Sequence, residues 1–251
     1  METLIKPDDG YYFGIGVFET IAVEQGRMVL CSEHLARMAE GISFFGLGRT
    51  VEEAELLEFL EKQKESEGWK HGALKVTVSR ENCVISLRPN TYTAGQYAQG
   101  FAMDFSEIRR NETSPFTYHK TLNYGECILE KRKAHERGLD ELIFLNSQGQ
   151  ICEGCTTNIF FGKQGKVFAP PLSCGMLPGV MRQFVYEQAE KAGNPVTEQV
   201  LYPEDLEGFD ECFVTNSLLG VMSGTRLGKY CFPERICAEK LRACEVLNLH
   251  P

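Results

Sequence analysis

Three short segments carry groups that can do chemistry together. Lys120 stands in Tyr118-His-Lys-Thr-Leu-Asn123-Tyr124, Glu153 opens Glu-Gly-Cys-Thr-Thr-Asn158, and Leu177-Pro-Gly-Val-Met-Arg182 has the form of a helix start. They supply in turn a primary amine, a carboxylate and a row of backbone N–H donors. An amine can condense with an aldehyde, an acid can pair with a ring nitrogen, and helix-terminal amides bind phosphate. Those are the three groups needed to hold pyridoxal phosphate, so the pattern implies chemistry on amino groups.

The chain that must position them has 251 residues, 43% of them hydrophobic, enough to bury a core in one large domain or two small ones. Its 35 acidic and 26 basic residues give a net charge of -9. That balance opposes general affinity for nucleic acid or for anionic membranes. The start, Met1-Glu-Thr-Leu-Ile-Lys-Pro-Asp-Asp-Gly10, has no basic flank leading into an apolar run, and no later stretch has the length of a membrane span, so a cytoplasmic protein is expected. Ten scattered cysteines are then expected as reduced thiols. Cys152-Glu-Gly-Cys155 has C-x-x-C spacing, but no second such pair accompanies it and the five histidines are dispersed, so no metal site is expected.

The first part reads as mixed α/β. Gly16–Val23 is rich in strand formers, Gln25-Gly26 is a turn and Met28–Leu30 returns as a hairpin. Ser32 is placed to cap a helix that ends at Gly46, and Thr50 with Glu53 has the spacing of a capping box for a second. Strands follow at Ala73–Ser79, Cys83–Leu87 and Phe101–Phe105. Arg109–Pro115 is polar and ends in proline, which places a linker there and a boundary near residue 112, between domains 1–112 and 113–251.

In the second part a helix is expected over Gly125–Gly138, strands at Glu141–Leu145, Thr157–Phe161 and Lys166–Ala169, and a helix from Pro178 to Gly193. Strand-like pieces at Val196–Leu201 and Glu211–Thr215 precede a last helix from about Pro233 to Leu247. Gly14 and Gly16 lack the third glycine and following helix of a nucleotide loop, and are read as allowing close backbone approach.

Taken in order, Phe13-Gly-Ile-Gly-Val-Phe-Glu-Thr20, Glu33-His-Leu-Ala-Arg37, Lys120-Thr-Leu-Asn123, Asp140-Glu141, Glu153 through Asn158, Leu177-Pro-Gly179 and Thr215-Asn-Ser-Leu218 resemble the class IV pyridoxal-phosphate aminotransferase family. The resemblance spans nearly the whole chain. It implies a two-domain α/β fold of type IV, with a smaller N-terminal domain, a larger strand-rich C-terminal domain, the cofactor between them, and a homodimer. Thr215–Met222 and Arg109–Asn123 look most like the aminodeoxychorismate lyases of that family, whereas its transaminases more often show Ser-Gly-Thr-Ala at Thr215–Leu218.

By this resemblance the expected activity is elimination of pyruvate from 4-amino-4-deoxychorismate to give 4-aminobenzoate, a folate precursor. The alternative is transamination of branched-chain or D-amino acids. Lys120 would bond to the cofactor aldehyde and move protons, and Glu153 would pair with the ring nitrogen. Arg37, the backbone amides of Val180 and Met181, and Ser217 would bind the phosphate. Tyr124 would contact the ring oxygen. Asn216, with Arg88 or Tyr92, would meet the carboxylates of a small amino substrate. Two features depart from the family: only about nine residues precede Gly10, and Gly14-Ile15-Gly16 stands where Gly-Asp-Gly is common.

Overall fold

The computed structural model describes residues 5–244, and their contacts cluster into two compact units. The first comprises the described residues up to Tyr92 together with His119–Gly125. The second comprises Thr93–Tyr118 and the described residues from Glu126 onward.

In the first unit, α1 (Asp9–Phe13) precedes β1 (Gly16–Glu24) and β2 (Arg27–Met28), and α2 (Cys31–Phe45) and α3 (Glu53–Glu61) precede β3 (His71–Ser79) and β4 (Cys83–Pro89). The four strands form an antiparallel sheet in the order β2-β1-β3-β4. The β1–β2 connection uses Gln25 and Gly26 at φ +51° and +74°, two positive angles in succession as a tight hairpin with right-handed twist requires. Alternation along the strands puts Val17, Ile21, Val23, Leu74, Val76 and Val78 into one core with Met38, Ile42, Leu56 and Leu60 of the two helices.

Both expected helix caps differ. The first helix begins a residue before Ser32, whose hydroxyl donates instead to Glu33, and the N-cap is Leu30 in the left-handed region at φ +53°. The second is preceded by Glu52 with no side-chain cap, so Thr50 and Glu53 form no box. Gly46 ends α2 at φ +60°, as the pattern requires.

In the second unit, α4 (Ala94–Gln99) leads into β5 (Phe101–Arg110), and α5 (Gly125–Glu136) into β6 (Glu141–Asn146), β7 (Ile151–Gly154), β8 (Asn158–Lys163) and β9 (Lys166–Ala169). Then come α6 (Val180–Lys191), β10 (Thr197–Glu198), β11 (Glu211–Asn216), β12 (Gly220–Leu227), β13 (Tyr230–Cys231) and α7 (Ile236–Arg242). Nine strands make one sheet system, and six of them, β8-β11-β12-β5-β6-β7, return to β8 and close a ring. The closing pair is Glu153 opposite Asn158.

Phe101–Arg110 therefore belongs to this second sheet, where it pairs in parallel with β6 and β12, and not to the sheet of the first unit. The units accordingly divide before residue 112, and Arg109 and Arg110 end a strand where a linker was expected. Three further strands, β7, β12 and β13, lie where none was read. The end of the expected last helix, from residue 245, lies outside the described residues. Mixed α/β architecture with a strand-rich second part is the observed fold class.

Candidate active site

Lys120 is carried by a segment that returns to the first unit. Phe18 N–H donates to Lys120 O at 3.0 Å, Leu122 N–H donates to Gly16 O at 2.9 Å, and Val17 bridges Thr121, so this segment runs along the free edge of β1. The approach needs Gly16: a β-carbon there would lie 2.6 Å from Val78 O and 2.7 Å from Leu122 Cδ1. Gly14, at φ +71°, closes α1, and Asn123 Nδ2 donates to its carbonyl. Close backbone approach is thus what Gly16 permits, whereas Gly14 supplies the left-handed turn and lies against the Asn123 side chain.

The Lys120 ammonium stands 4.4 Å from the centroid of Phe18 and 5.0 Å from that of Tyr124, and these two rings meet edge to face. Aromatic faces attract a cation. His119, one residue away, stacks instead on Phe44 at 4.2 Å. Tyr124 is thereby brought together with Lys120.

Arg37 is gripped by Glu19. Its Nε and Nη2 donate to Glu19 Oε1 and Oε2, each at 2.7 Å, and His34 Nδ1 lies 2.7 Å from Oε2. Arg37 and His34 are three residues apart on α2 and so share its inner face. Burial alone would push the Glu19 carboxyl up, but the Arg37 guanidinium and His34 hold it down at about 2. Glu19 therefore remains ionised in the folded chain to lower pH than in the unfolded one. Its contribution is full above the ordinary value of 4.5 and is lost as pH falls from there toward about 2. We expect the urea midpoint of the wild type to fall across that window more steeply than that of Glu19→Gln; equal slopes would show that Glu19 does not act this way.

In the second unit, both oxygens of the buried Glu153 side chain are engaged. Arg110 donates to Oε1 from Nη2 at 2.6 Å and from Nε at 3.2 Å, while Leu177 N–H and Asn158 Nδ2 donate to Oε2 at 3.1 and 3.4 Å. Asn158 also donates to Leu177 O at 3.0 Å. The carboxylate is thus tied to the segment that opens α6. A β-carbon on Gly179, the N-cap, would collide with Asn158 Oδ1, so only glycine lets the helix start so close to this strand. No side chain caps α6, and Val180 and Met181 lie in its first turn, where amides lack intrahelical acceptors.

Asn216, expected to meet a substrate, ends β11. Its Oδ1 accepts from Leu218 N–H and Leu219 N–H, both at 2.9 Å, and its Nδ2 donates to Thr156 O at 3.2 Å. Its amide braces the turn that carries Ser217. Two buried hydroxyls near this turn, Thr157 Oγ1 and Thr215 Oγ1, have no hydrogen-bond partner. Arg88 is exposed on β4 and donates to Pro89 O, and Tyr92 N–H donates to Asn90 Oδ1.

Sequence reasoning did not assign Glu19, His34, Arg110 or Asn158. Glu19 had a visible signal, since an acid on the inward face of an apolar strand demands a partner. Arg110 had none, because its partner lies 43 residues away.

Cys152 and Cys155 turn to different acceptors, Cys174 O at 3.0 Å and Leu142 O at 3.3 Å, and burial pushes both thiols up. All ten cysteines are free. Among the described residues no group of three or more His, Cys, Asp or Glu side chains is placed to hold a metal, and no helix is long and apolar enough to cross a membrane.

The model of the class IV amino-transferase family matches residues 16–227. The chain is similar to the aminodeoxychorismate lyase of Bacillus subtilis (strain 168), at 28% identity over 244 residues covering 90% of this chain and 82% of the relative. It is similar also to the D-alanine aminotransferase of Bacillus licheniformis, at 27% identity over 234 residues covering 88% and 81%. A hypothetical aminotransferase from Mycobacterium tuberculosis, solved in its PLP-bound form, shares the fold with a TM-score of 0.84 at 21% identity, over 97% of this chain and 93% of that one.

Each unit by itself offers groups of the kind pyridoxal phosphate takes: the first an amine over aromatic rings, the second a buried carboxylate that carries its own counter-charge in Arg110 and an uncapped helix start beside it. The chain belongs to the class IV aminotransferases and is a pyridoxal-phosphate-dependent enzyme.

Proposed function

We propose that this enzyme is a 4-amino-4-deoxychorismate lyase, releasing pyruvate and 4-aminobenzoate. The observation that carries the choice is the turn after β11. Asn216 supplies a side chain that holds the amides of Leu218 and Leu219, where the transaminase pattern has a glycine that can supply none. The lyase relative from Bacillus subtilis supports the same choice.

When bound, pyridoxal phosphate offers an aldehyde to an amine and a ring that accepts the electron pair left at the amine-bearing carbon. Lys120 would hold the aldehyde until substrate arrives, then take the proton from that carbon and return one as pyruvate leaves. Tyr124 and Phe18 would keep its amine beside aromatic faces. Glu153, held by Arg110, would pair with the ring nitrogen. Arg37, the Val180 and Met181 amides and Ser217 would bind phosphate, the amides helped by the dipole of α6. Arg88 and Tyr92 would face the substrate, with Asn216 acting through the turn it braces.

We further propose a homodimer, because Tyr11, Tyr12 and Phe13 present exposed rings that a second copy would cover, and a cytoplasmic setting, which ten free thiols suit.

Purified protein mixed with aminodeoxychorismate should release pyruvate with no 2-oxo acid added. Strict dependence on such an acceptor would assign the enzyme to the transaminases, a reading that the D-alanine aminotransferase relative keeps in play.

A further inference from the structure

Asp140 and Glu141 are among the segments that carry the resemblance to the family, yet neither has a part in the chemistry described above. Asp140 immediately precedes β6, and its Oδ2 accepts from Ala102 N–H of β5 at 2.8 Å. Glu141 opens β6 and is fully buried, with its Oε2 3.3 Å from the ammonium of Lys131 on α5. A buried pair of this kind adds little net stability, because both charges are desolvated to form it. What it fixes is the direction of the groups bonded to it.

Those groups lie in the turn between β7 and β8. Thr156 Oγ1 donates to Glu141 Oε2 at 2.9 Å, and Gly154 N–H closes the turn on Thr157 O at 2.8 Å. The stem of Glu141 lies against Gly154, the residue after Glu153: a β-carbon there would stand 2.9 Å from Glu141 Cγ and 2.2 Å from Thr157 Oγ1. From Thr156 the connection continues to the neighbouring turn, because Thr156 O accepts from Asn216 Nδ2 at 3.2 Å while Asn216 Oδ1 holds the amides of Leu218 and Leu219. One chain of hydrogen bonds thus runs from Lys131 through Glu141, Thr156 and Asn216 to the turn that carries Ser217. Tyr97 Oη holds the other side of that turn, donating to Leu219 O at 2.7 Å. All of these residues lie in the second unit.

We propose that Glu141 is a positioning residue for the cofactor phosphate: through Thr156 and Asn216 it holds the turn of Ser217 in the place from which that residue binds the group. This rests on the reading of Ser217 given above and adds to it the buried carboxylate that aims it. A hydrogen bond to a charged acceptor is stronger than one between neutral groups, so Glu141 restrains Thr156 more firmly than an uncharged neighbour would. With Tyr97 still in place, loss of the link through Thr156 shifts the turn without unfolding the strands on either side of it.

Thr156→Val keeps the branched shape and removes the hydroxyl, Thr156→Ser keeps the hydroxyl, and Glu141→Met removes the acceptor. The full-length protein, freed of cofactor, is titrated with pyridoxal phosphate and with pyridoxal, which has the ring and aldehyde but no phosphate. Thr156→Val and Glu141→Met should each weaken binding of pyridoxal phosphate about tenfold or more, the loss of one charge-assisted hydrogen bond, and that of pyridoxal by no more than about threefold. Thr156→Ser should stay within about threefold of the wild type for both ligands. The double variant should lose no more than the weaker-binding single variant, since both act through one link. In the holoenzymes the phosphorus-31 resonance of the cofactor should move in Thr156→Val and Glu141→Met and stay in place in Thr156→Ser. Equal losses for the two ligands in Thr156→Val, or losses that add in the double variant, overturn the proposal. Thr156→Val leaves the pair of Glu141 with Lys131 untouched, so it decides the matter even where Glu141→Met fails to fold. A wild type that binds pyridoxal as tightly as pyridoxal phosphate would remove the phosphate site itself, and the proposal with it, whereas a wild-type preference kept in full by Thr156→Val removes the role of Glu141 alone.

Discussion

Lys120→Ala should lose turnover by at least about 10³-fold and should no longer form the borohydride-reducible bond to its cofactor, because both depend on one nitrogen. The fold should survive. The backbone of residue 120 is held to β1 through its carbonyl, which alanine retains, and the side chain's contact with Phe18 and Tyr124 is worth about 0.5–1 kcal/mol. Circular dichroism and thermal melting should therefore match the wild type within a few degrees, and absorbance at visible wavelengths should report the loss of the covalent bond. A variant that retains full activity without that bond would remove Lys120 from the chemistry.

The same attachment explains why the lysine could be found in the sequence while its setting could not. Local alternation marks β1, β3 and β4, because a half-buried strand must put every second side chain inside, and the core of the first unit follows from it. That residues 119–125 would leave their sequence neighbours and lie along β1 is a long-range pairing without periodicity of its own. The same holds for the ring of strands in the second unit. Its closure depends on β7, four residues long, and the pairing of Glu153 with Asn158 becomes visible only in register. Phe101–Arg110 reads as a strand, but nothing local says which sheet it joins.

Caps failed for a different reason. Ser32 and Thr50 are residue types that favour helix starts, yet α2 begins from Leu30 in a left-handed conformation that sequence would have assigned to glycine or asparagine. That residue leads directly into the helix that carries His34 and Arg37. Glu19 was legible as a motif member and silent as a partner, since a strand pattern records which side chains point inward and not what meets them. Asn216 was expected to meet a substrate carboxylate, and no local pattern announces what the structure adds, that its amide also braces the turn after β11.

Arg110 is the residue whose removal should expose this hidden support most strongly. It donates two hydrogen bonds to one oxygen of Glu153, stacks 5.2 Å from the ring of Phe144, and is largely buried. Arg110→Met keeps the volume and removes the charge, while Leu177 N–H and Asn158 still donate to the other oxygen of Glu153. Breaking one side of a buried pair costs about 3 kcal/mol, because the remaining carboxylate is still desolvated. Arg110→Met should therefore melt at a lower temperature and lose cofactor affinity, since a carboxylate free to move or to take up a proton is a poorer partner for the ring nitrogen. Combining it with Glu153→Gln should restore much of the stability, because no buried charge is then left alone, but not the activity, since a neutral amide cannot act as a counter-ion to a protonated ring. A double-mutant cycle with calorimetric melting and turnover on the same four proteins separates the two effects. Additive losses in stability would mean that Arg110 does not act through Glu153, and full activity in Arg110→Met would mean that Glu153 is positioned by its backbone contacts alone.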